Sequence, residues 1–232
     1  MSESKGLKTN PVSGITTVLF DLDDTLIDSF RAREDTISRV LKTGGIILDN
    51  DWTLNNFRGL EIKDILRQSG VKEDELEEQF LSYRRIYWTS DHAPVEIFDG
   101  VRPMLEKLHE HGIKMGIVTQ KGRDYIFEGC RAGATIELKK TNILHLFGVI
   151  IGFEDVRQTK PDPEGINLAL TRLQSRPAET LFVGDSLADL LAAKNAGSRS
   201  CHAQWGITNL EDLRADYIAA TPQQLLDIII PR

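Results

Sequence analysis

Three short segments of the chain share one pattern of hydrophobic and polar positions. Each is a run of apolar, largely β-branched residues that stops at a polar residue and precedes a helix-like pattern: ITTVLF before Asp21, IKMGIVT at 113–119, and TLFVGD at 180–185. Such near-continuous hydrophobicity over a few residues is typical of strands buried on both faces of a parallel sheet. The pattern therefore predicts an α/β fold.

Between the first two of these segments the pattern changes to helices. The stretch from about Phe30 to Trp88 contains three successive amphipathic patterns, in ISRVLKTG, LEIKDILRQSG and EDELEEQFLSYRRIYW. Apolar residues three and four positions apart predict helices with one buried face. We expect this stretch to form a helical cap inserted after the first strand.

The rest of the chain returns to an alternation of strands and helices. A turn signal in FDGV precedes the predicted helix PMLEKLHEHG, and further strands are expected in GVIIGF, SRSCHAQW and DYIAA before a last helix in PQQLLDIII. The predicted organisation is a flexible tail at 1–14, a Rossmann-like parallel-sheet core at 15–29 and 97–232, and a helical cap at 30–96.

Polar residues that end buried strands are the candidates for chemistry. In open parallel sheets ligands bind beyond the carboxyl ends of the strands, so Asp21, Thr119 and Asp185 are expected to converge on one crevice. Asp23 follows Asp21 by two residues, and positions two apart in an extended chain point to the same side. One of these carboxylates can then attack a substrate atom while the other transfers a proton.

The remaining polar segments supply what phosphoryl transfer requires besides a nucleophile and an acid. Lys160, within TKPDP, provides a cation in a loop that prolines restrict, and Thr119 provides a hydroxyl. Asp185 and Asp189, within GDSLAD, provide oxygen ligands of the kind that Mg²⁺ prefers. The residues thus indicate a metal-assisted reaction at phosphorus.

In this order the four segments resemble the motifs of the haloacid dehalogenase superfamily. DLDDT resembles its nucleophile motif, IVTQ its phosphate-binding motif, TKPDP its lysine motif and GDSLAD its acidic metal motif. The resemblance extends from about Thr16 to the end of the chain, and FDGV before PMLEKLHEHG is similar to the group around phosphoglycolate phosphatase. It implies a phosphatase with a helical cap that acts on a small phosphorylated metabolite.

The resemblance also implies residue roles. Asp21 would form an aspartyl-phosphate, and Asp23 would protonate the leaving group and then activate water. Mg²⁺ would be bound by the carboxylates of Asp21 and Asp185 and by the backbone carbonyl of Asp23. Asp189 would be either a further ligand or a support for the others.

The phosphoryl oxygens would be bound by Thr119 and Lys160. Backbone amides that follow Asp21 and Thr119, those of Leu22, Asp23 and Gln120, would complete the phosphate site. Gln120 stands where asparagine is frequent in the family, which leaves open how its longer amide reaches the phosphate.

Composition narrows the range of functions further. The 232 residues, 41% of them hydrophobic and 27% charged, suit a globular protein and argue against a fibrous or disordered chain. The net charge of −7 disfavours a nucleic-acid partner, because neutralising a phosphate backbone requires a basic face. We therefore do not expect the protein to bind nucleic acid.

The sequence also favours a cytoplasmic location. Two cysteines, Cys130 and Cys201, are too few for a disulfide framework. The polar first fourteen residues lack the apolar core of a secretion signal, and no apolar run approaches the roughly 18 residues that span a bilayer. Neither secretion nor membrane insertion is expected.

Three alternatives remain open from the residues and the resemblance. A sugar-phosphate phosphomutase would use the same core and cap, and a non-catalytic module could bind a phosphorylated ligand. A dehalogenase is disfavoured because such enzymes lack the equivalent of Asp23.

Arg58 and Lys63 in the cap are candidates for contacting a substrate anion, although a solvated helix face is the more ordinary role. The oligomeric state is not determined by the sequence.

Overall fold

The structure, a computed structural model, describes residues 14–49, 51–57, 60–89, 94–206 and 215–230 of the chain. The strands within these ranges are β1 Thr17–Phe20, β2 Ile27–Asp28, β3 Glu96–Ile97, β4 Lys114–Val118, β5 Tyr125–Phe127, β6 Cys130–Ala132, β7 Val149–Ile151, β8 Thr180–Gly184, β9 Arg199–Ala203 and β10 Tyr217–Ala219. The α-helices are α1 Phe30–Thr43, α2 Ile62–Gln68, α3 Leu76–Thr89, α4 Val101–Glu110, α5 Ala134–Lys140, α6 Glu164–Leu173, α7 Leu187–Asn195 and α8 Pro222–Ile229.

A six-stranded sheet forms the centre of the molecule. Its strand order is β10-β9-β8-β1-β4-β7, and every neighbouring pair is parallel. β1 lies between β4 and β8, so the carboxyl ends of these three strands meet at one edge of the sheet. The predicted α/β fold with a Rossmann-like parallel sheet is confirmed.

Residues along the central strands alternate between two hydrophobic clusters. Phe20 and Val183 belong to a cluster shared with α4 and α8, whereas Leu19 and Phe182 belong to a cluster shared with α6 and α7. All four side chains are fully buried. Because successive strand residues point to opposite faces and helices cover both faces, nearly every strand position must be apolar.

Helices α1, α2 and α3 have a hydrophobic cluster of their own, which includes Val40, Ile65 and Tyr83. The chain enters and leaves this helical stretch through β2 and β3, which pair in antiparallel fashion with Asp28 opposite Glu96. The three helices correspond to the amphipathic segments in the sequence. The boundaries of a cap at 30 and 96 stay a prediction.

A second small antiparallel pair, β5 and β6, follows the end of β4. Its turn consists of Glu128 and Gly129, which both have positive φ angles, 47° and 82°. Two such residues form the tight turn that matches the twist of a hairpin. The carboxylate of Glu128 accepts two hydrogen bonds from Arg85 of α3, at 2.8 and 2.6 Å, so the hairpin contacts the helical stretch.

Two further expectations concern the N-terminal tail and membrane insertion. Residues 1–13 of the predicted tail lie outside the described residues. Among the helices that are described, none combines the length and the apolar character needed to cross a bilayer.

Candidate active site

Backbone hydrogen bonds to neighbouring strands fix the positions of Asp21 and Thr119. The Asp21 amide donates to the carbonyl of Val183 at 2.9 Å, and the Thr119 amide donates to the carbonyl of Ile151 at 2.9 Å. Each residue therefore continues its strand by one position. The two side chains, together with Asp185 after β8, lie at the same edge of the sheet, as the strand pattern predicts.

Lys160 reaches this edge from the loop before α6. Its side chain is only 4% exposed, and its Nζ donates to Oδ1 of Asp21 at 2.5 Å and to Oδ1 of Asp189 at 2.6 Å. Burial acts to lower the pKa of Lys160, but the two carboxylates outweigh it and raise that pKa. Lys160 is therefore a fixed, fully charged cation beside Asp21.

The Asp21 carboxyl group is buried among charges of both signs. Burial raises the pKa of Asp21 to about 7; Lys160 acts against this shift, and the charge of Asp189 adds to it. Since a carboxyl group attacks only when ionised, any further cation near Asp21 would favour its reactive form.

Asp189 is held on both of its oxygens. Oδ1 accepts from Lys160, and Oδ2 accepts from the amide and hydroxyl of Ser186 at 3.0 and 2.6 Å. Ser186 is the N-cap of α7. Gly184 leaves the room for this arrangement, because a Cβ there would lie 2.4 Å from Cγ of Asp189.

Asp23 lies in a different set of contacts. Its Oδ1 accepts from Ser29 Oγ at 2.5 Å and from Lys121 Nζ at 2.8 Å. Burial acts to raise the pKa of Asp23, but Lys121 and Arg33 together outweigh it and hold that pKa below its usual value. Asp23 is thus ionised at neutral pH in the free protein.

Lys121 is the main residue near the site that the sequence did not reveal. Besides Asp23, its Nζ contacts Glu137 Oε2 at 2.6 Å and the hydroxyl of Tyr87 at 3.3 Å. These partners stand 16 and 34 residues away in the sequence, so no local spacing indicates the cluster. Its only signal is its position two residues after Thr119.

Asp24 forms an ion pair with Arg33 of α1. Its backbone has a positive φ of 61°, which turns the chain after the first strand. This pair connects the aspartate segment to the first helix of the helical stretch.

A cavity of about 560 Å³ opens between the strand edge and helices α1 to α3. The predicted site residues on its wall are Asp21, Asp23, Thr119, Gln120, Lys160 and Asp185. Leu22 and Asp189 are not on this wall; the Leu22 side chain is fully buried in the core, which leaves only its backbone for ligand contact.

The helical side of the cavity carries further charges and aromatic rings. Lys63 lies on the wall and pairs with Glu77, while its candidate neighbour Arg58 lies outside the described residues. Arg84 lies on the same wall, with its guanidinium 5.0 Å from the ring centre of Tyr125 and 4.3 Å from that of Phe127.

The donor set at the strand edge suits a hard divalent cation. Asp21, Asp185 and Asp189 are all buried, and one oxygen of each lies within 4.8 Å of the others. Lys160 supplies one positive charge against three carboxylates. When all three are ionised, two negative charges remain, which a divalent cation would neutralise. Carboxylate oxygens are ligands that Mg²⁺ accepts, and both Asp189 oxygens already accept hydrogen bonds from Lys160 and Ser186.

The family model of haloacid dehalogenase-like hydrolases matches residues 18–203. The chain belongs to this family. The match contains all four segments that carry the candidate residues, from Asp21 to Asp189. As a haloacid dehalogenase-like hydrolase the chain is an enzyme. The prediction of a phosphatase of this family is confirmed.

Relatives with similar sequences cover nearly the whole of this hydrolase. A pyrophosphatase PpaX from Anoxybacillus flavithermus is 33% identical over 221 residues, 93% of this chain and 97% of its own length. A pyrophosphatase PpaX from Bacillus velezensis is 32% identical over 223 residues, 92% of this chain and 96% of its own.

Solved structures agree with the fold of this hydrolase. A haloacid dehalogenase-like family hydrolase from Streptococcus pneumoniae has a TM-score of 0.78 at 25% identity and covers 93% of this chain and 98% of its own. A predicted phosphoglycolate phosphatase from Haemophilus somnus 129pt has a TM-score of 0.79 at 23% identity, with coverage of 93% and 98%. The latter likeness concerns the fold alone.

Proposed function

We propose that this chain is a Mg²⁺-dependent phosphatase that hydrolyses a small phosphorylated substrate through an aspartyl-phosphate on Asp21. The observation that carries the proposal is the convergence of three buried carboxylates and the fixed ammonium group of Lys160 at the carboxyl edge of the sheet. Burying three carboxylates against one cation is unfavourable without a ligand.

In the proposed reaction an oxygen of Asp21 attacks phosphorus in line with the leaving oxygen. The P–O bond to the leaving group breaks as the bond to Asp21 forms. Asp23, which takes up a proton as the anionic substrate binds beside it, gives that proton to the leaving oxygen. Asp23, ionised again, then takes a proton from a water molecule that attacks the same phosphorus. Phosphate is released and the Asp21 carboxylate is restored.

The remaining site residues position the phosphoryl group and balance its charge. Thr119 and Lys160 bind phosphoryl oxygens, and Lys160 also reduces the repulsion between Asp21 and the substrate. The backbone amides of Leu22, Asp23 and Gln120 complete the phosphate site.

The proposed ligands of Mg²⁺ are the carboxylates of Asp21 and Asp185 and the backbone carbonyl of Asp23. When bound, the ion neutralises charge on the transferring phosphoryl oxygens. We assign Asp189 to a supporting role, because its hydrogen bonds hold Lys160 in place beside Asp21.

The helical stretch at 30–96 is proposed to act as a cap over the cavity. Closing it would exclude bulk water and strengthen the electrostatic stabilisation of transferred charge. Support comes from the cavity itself, whose wall includes Arg33 of α1 and Tyr87 of α3 as well as the strand-end residues.

The charges on the cavity wall favour a substrate with a second anionic group. Among the residues that the structure describes, no carboxylate contacts Arg84, whereas the other cations of the wall, Arg33, Lys63, Lys121 and Lys160, all pair with acids. A half-buried guanidinium without an acidic partner favours an anionic ligand. Pyrophosphate, the substrate in the name of the curated relatives, and a phosphate ester with a carboxylate both fit this description.

Phosphate release from a panel of phosphate esters and anhydrides, with and without Mg²⁺, tests the proposal. We expect Asp21→Asn to abolish release, whereas Asp64→Asn, which changes an exposed carboxylate on α2, serves as the matched control and retains it. Heavy-oxygen water should label the released phosphate. Undiminished release by Asp21→Asn would show that the nucleophile is assigned wrongly.

A further inference from the structure

A buried cluster of three side chains outside the four motifs joins helix α3 to the site. Lys121 follows β4, Glu137 belongs to α5 and Tyr87 belongs to α3. The Tyr87 hydroxyl donates to Glu137 Oε1 at 2.8 Å, and Lys121 Nζ donates to Glu137 Oε2 at 2.6 Å. Both Glu137 oxygens are therefore engaged, and its side chain is only 5% exposed.

The cluster ends at the proposed general acid. Lys121 Nζ lies 2.8 Å from Asp23 Oδ1, which also accepts from Ser29. Among the described residues no side chain or amide donates a hydrogen bond to Oδ2 of Asp23, so one oxygen is anchored and the other is left for proton transfer. An ammonium group has three hydrogens, and Asp23, Glu137 and Tyr87 account for all of them.

We propose that Lys121 is a positioning residue for Asp23, and that Glu137 and Tyr87 hold Lys121 in the orientation that this requires. The inference rests on the proposed function of Asp23. Lysine has a flexible four-carbon side chain, so without these partners it would sample several positions. Because Tyr87 belongs to α3, Asp23 is correctly oriented only while that helix lies against α5.

This role predicts a dependence on the leaving group. Proton donation matters most when the leaving oxygen is strongly basic, as in ethyl phosphate, and little when it is weakly basic, as in p-nitrophenyl phosphate. A disordered Asp23 should therefore slow formation of the aspartyl-phosphate from ethyl phosphate selectively. A purely structural defect, or a defect in phosphate binding, would slow both substrates alike.

The experiment compares Lys121→Met and Tyr87→Phe with the wild-type enzyme in single-turnover measurements of alcohol or phenol release, with Mg²⁺ present. Tyr217→Phe on the edge strand β10 is the matched control for loss of a tyrosine hydroxyl. For Lys121→Met we expect a rate loss with ethyl phosphate about tenfold or more greater than that with p-nitrophenyl phosphate. Tyr87→Phe should show the same selectivity to a smaller extent, and Tyr217→Phe none.

Equal rate losses with the two substrates, or no loss in either variant, would overturn the inference. If Lys121→Met does not fold, as judged by circular dichroism, Tyr87→Phe carries the test alone, because it removes only one hydroxyl. The proposed function fails separately, if the wild-type enzyme forms no aspartyl-phosphate or if Asp21→Asn keeps its activity.

Discussion

At the scale of single residues, the site depends on how each buried charge is paired. Asp21 and Asp189 share the ammonium group of Lys160, and Asp23 has a separate partner in Lys121. Two neighbouring carboxylates thereby differ in character, since the pKa of Asp21 is raised and that of Asp23 is lowered. The proposed roles require these shifts to be reversed in the complex: Mg²⁺ beside Asp21 would favour its ionised form, and an anionic substrate beside Asp23 would favour its protonated form.

Replacing Asp189 tests whether it supports Lys160. In Asp189→Asn an amide nitrogen must face either Lys160 or the amide of Ser186, both of which are donors. We expect a loss of about 1–3 kcal/mol in unfolding free energy and a large fall in kcat. Thermal unfolding and phosphatase assays measure the two effects.

Thr221→Ala is the control for that variant. Thr221 caps α8 through a hydrogen bond from the Gln224 amide, so its loss costs about 1 kcal/mol of stability but should leave kcat unchanged. If Asp189→Asn behaves like Thr221→Ala, Asp189 is only a helix cap.

The sequence revealed the residues of this site where their position follows from a strand. Asp21, Thr119 and Asp185 follow apolar runs directly, and parallel strands place such residues at one edge. Lys121 and Glu137 were missed because their pairing depends on how α5 packs against the loop after β4. No periodicity within either segment carries that information.

At the scale of elements, the strands that a local sequence pattern marks were predicted, and those that depend on packing were not. The six strands of the central sheet lie within the predicted segments. The signal is clearest for β1 and β8, whose positions are all buried and largely apolar. The pairs β2–β3 and β5–β6 were not predicted. Their strands have two or three residues each, too few for a pattern, and they are stabilised by contacts such as that between Arg85 and Glu128.

Adjacent arginines on α3 provide a matched test of the substrate class. Arg84 lies on the cavity wall without an acidic partner among the described residues, whereas Arg85 is exposed and pairs with Glu128. We expect Arg84→Gln to lower kcat/KM for 2-phosphoglycolate by about tenfold to a hundredfold, as for loss of a charged hydrogen bond. Ethyl phosphate, which lacks the carboxylate, should be affected little.

Arg85→Gln should leave the ratio between the two substrates unchanged, because it removes only an exposed ion pair. An equal loss for both substrates in Arg84→Gln would count against a second-anion site. So would a change of the substrate ratio in Arg85→Gln.

At the scale of the whole molecule, the fold brings an acidic strand edge beneath a group of helices. The net charge of −7 and the three buried carboxylates would repel a phosphorylated substrate, unless cations at the site compensate. Lys160 compensates in part, and the proposed Mg²⁺ supplies the rest. Metal binding should therefore also contribute to the stability of the protein.

We expect Mg²⁺ at a saturating concentration to raise the melting temperature of the wild-type enzyme by roughly 5–10 °C. A ligand at about a hundred times its Kd stabilises the folded state by about 2.7 kcal/mol. Asp185→Asn should abolish this increase, and removing the metal with a chelator should reverse it. Asp64→Asn should retain it, and an equal increase in Asp185→Asn would place the metal elsewhere.

The most direct test of the central claim is to find the phosphoryl group on Asp21 itself. Wild-type enzyme quenched in acid during turnover, then digested and analysed by mass spectrometry, should contain a phosphorylated peptide with the modification at Asp21, and Asp21→Asn should contain none. Rapid turnover with an unmodified Asp21 peptide, or with the phosphoryl group on another residue, would contradict the account.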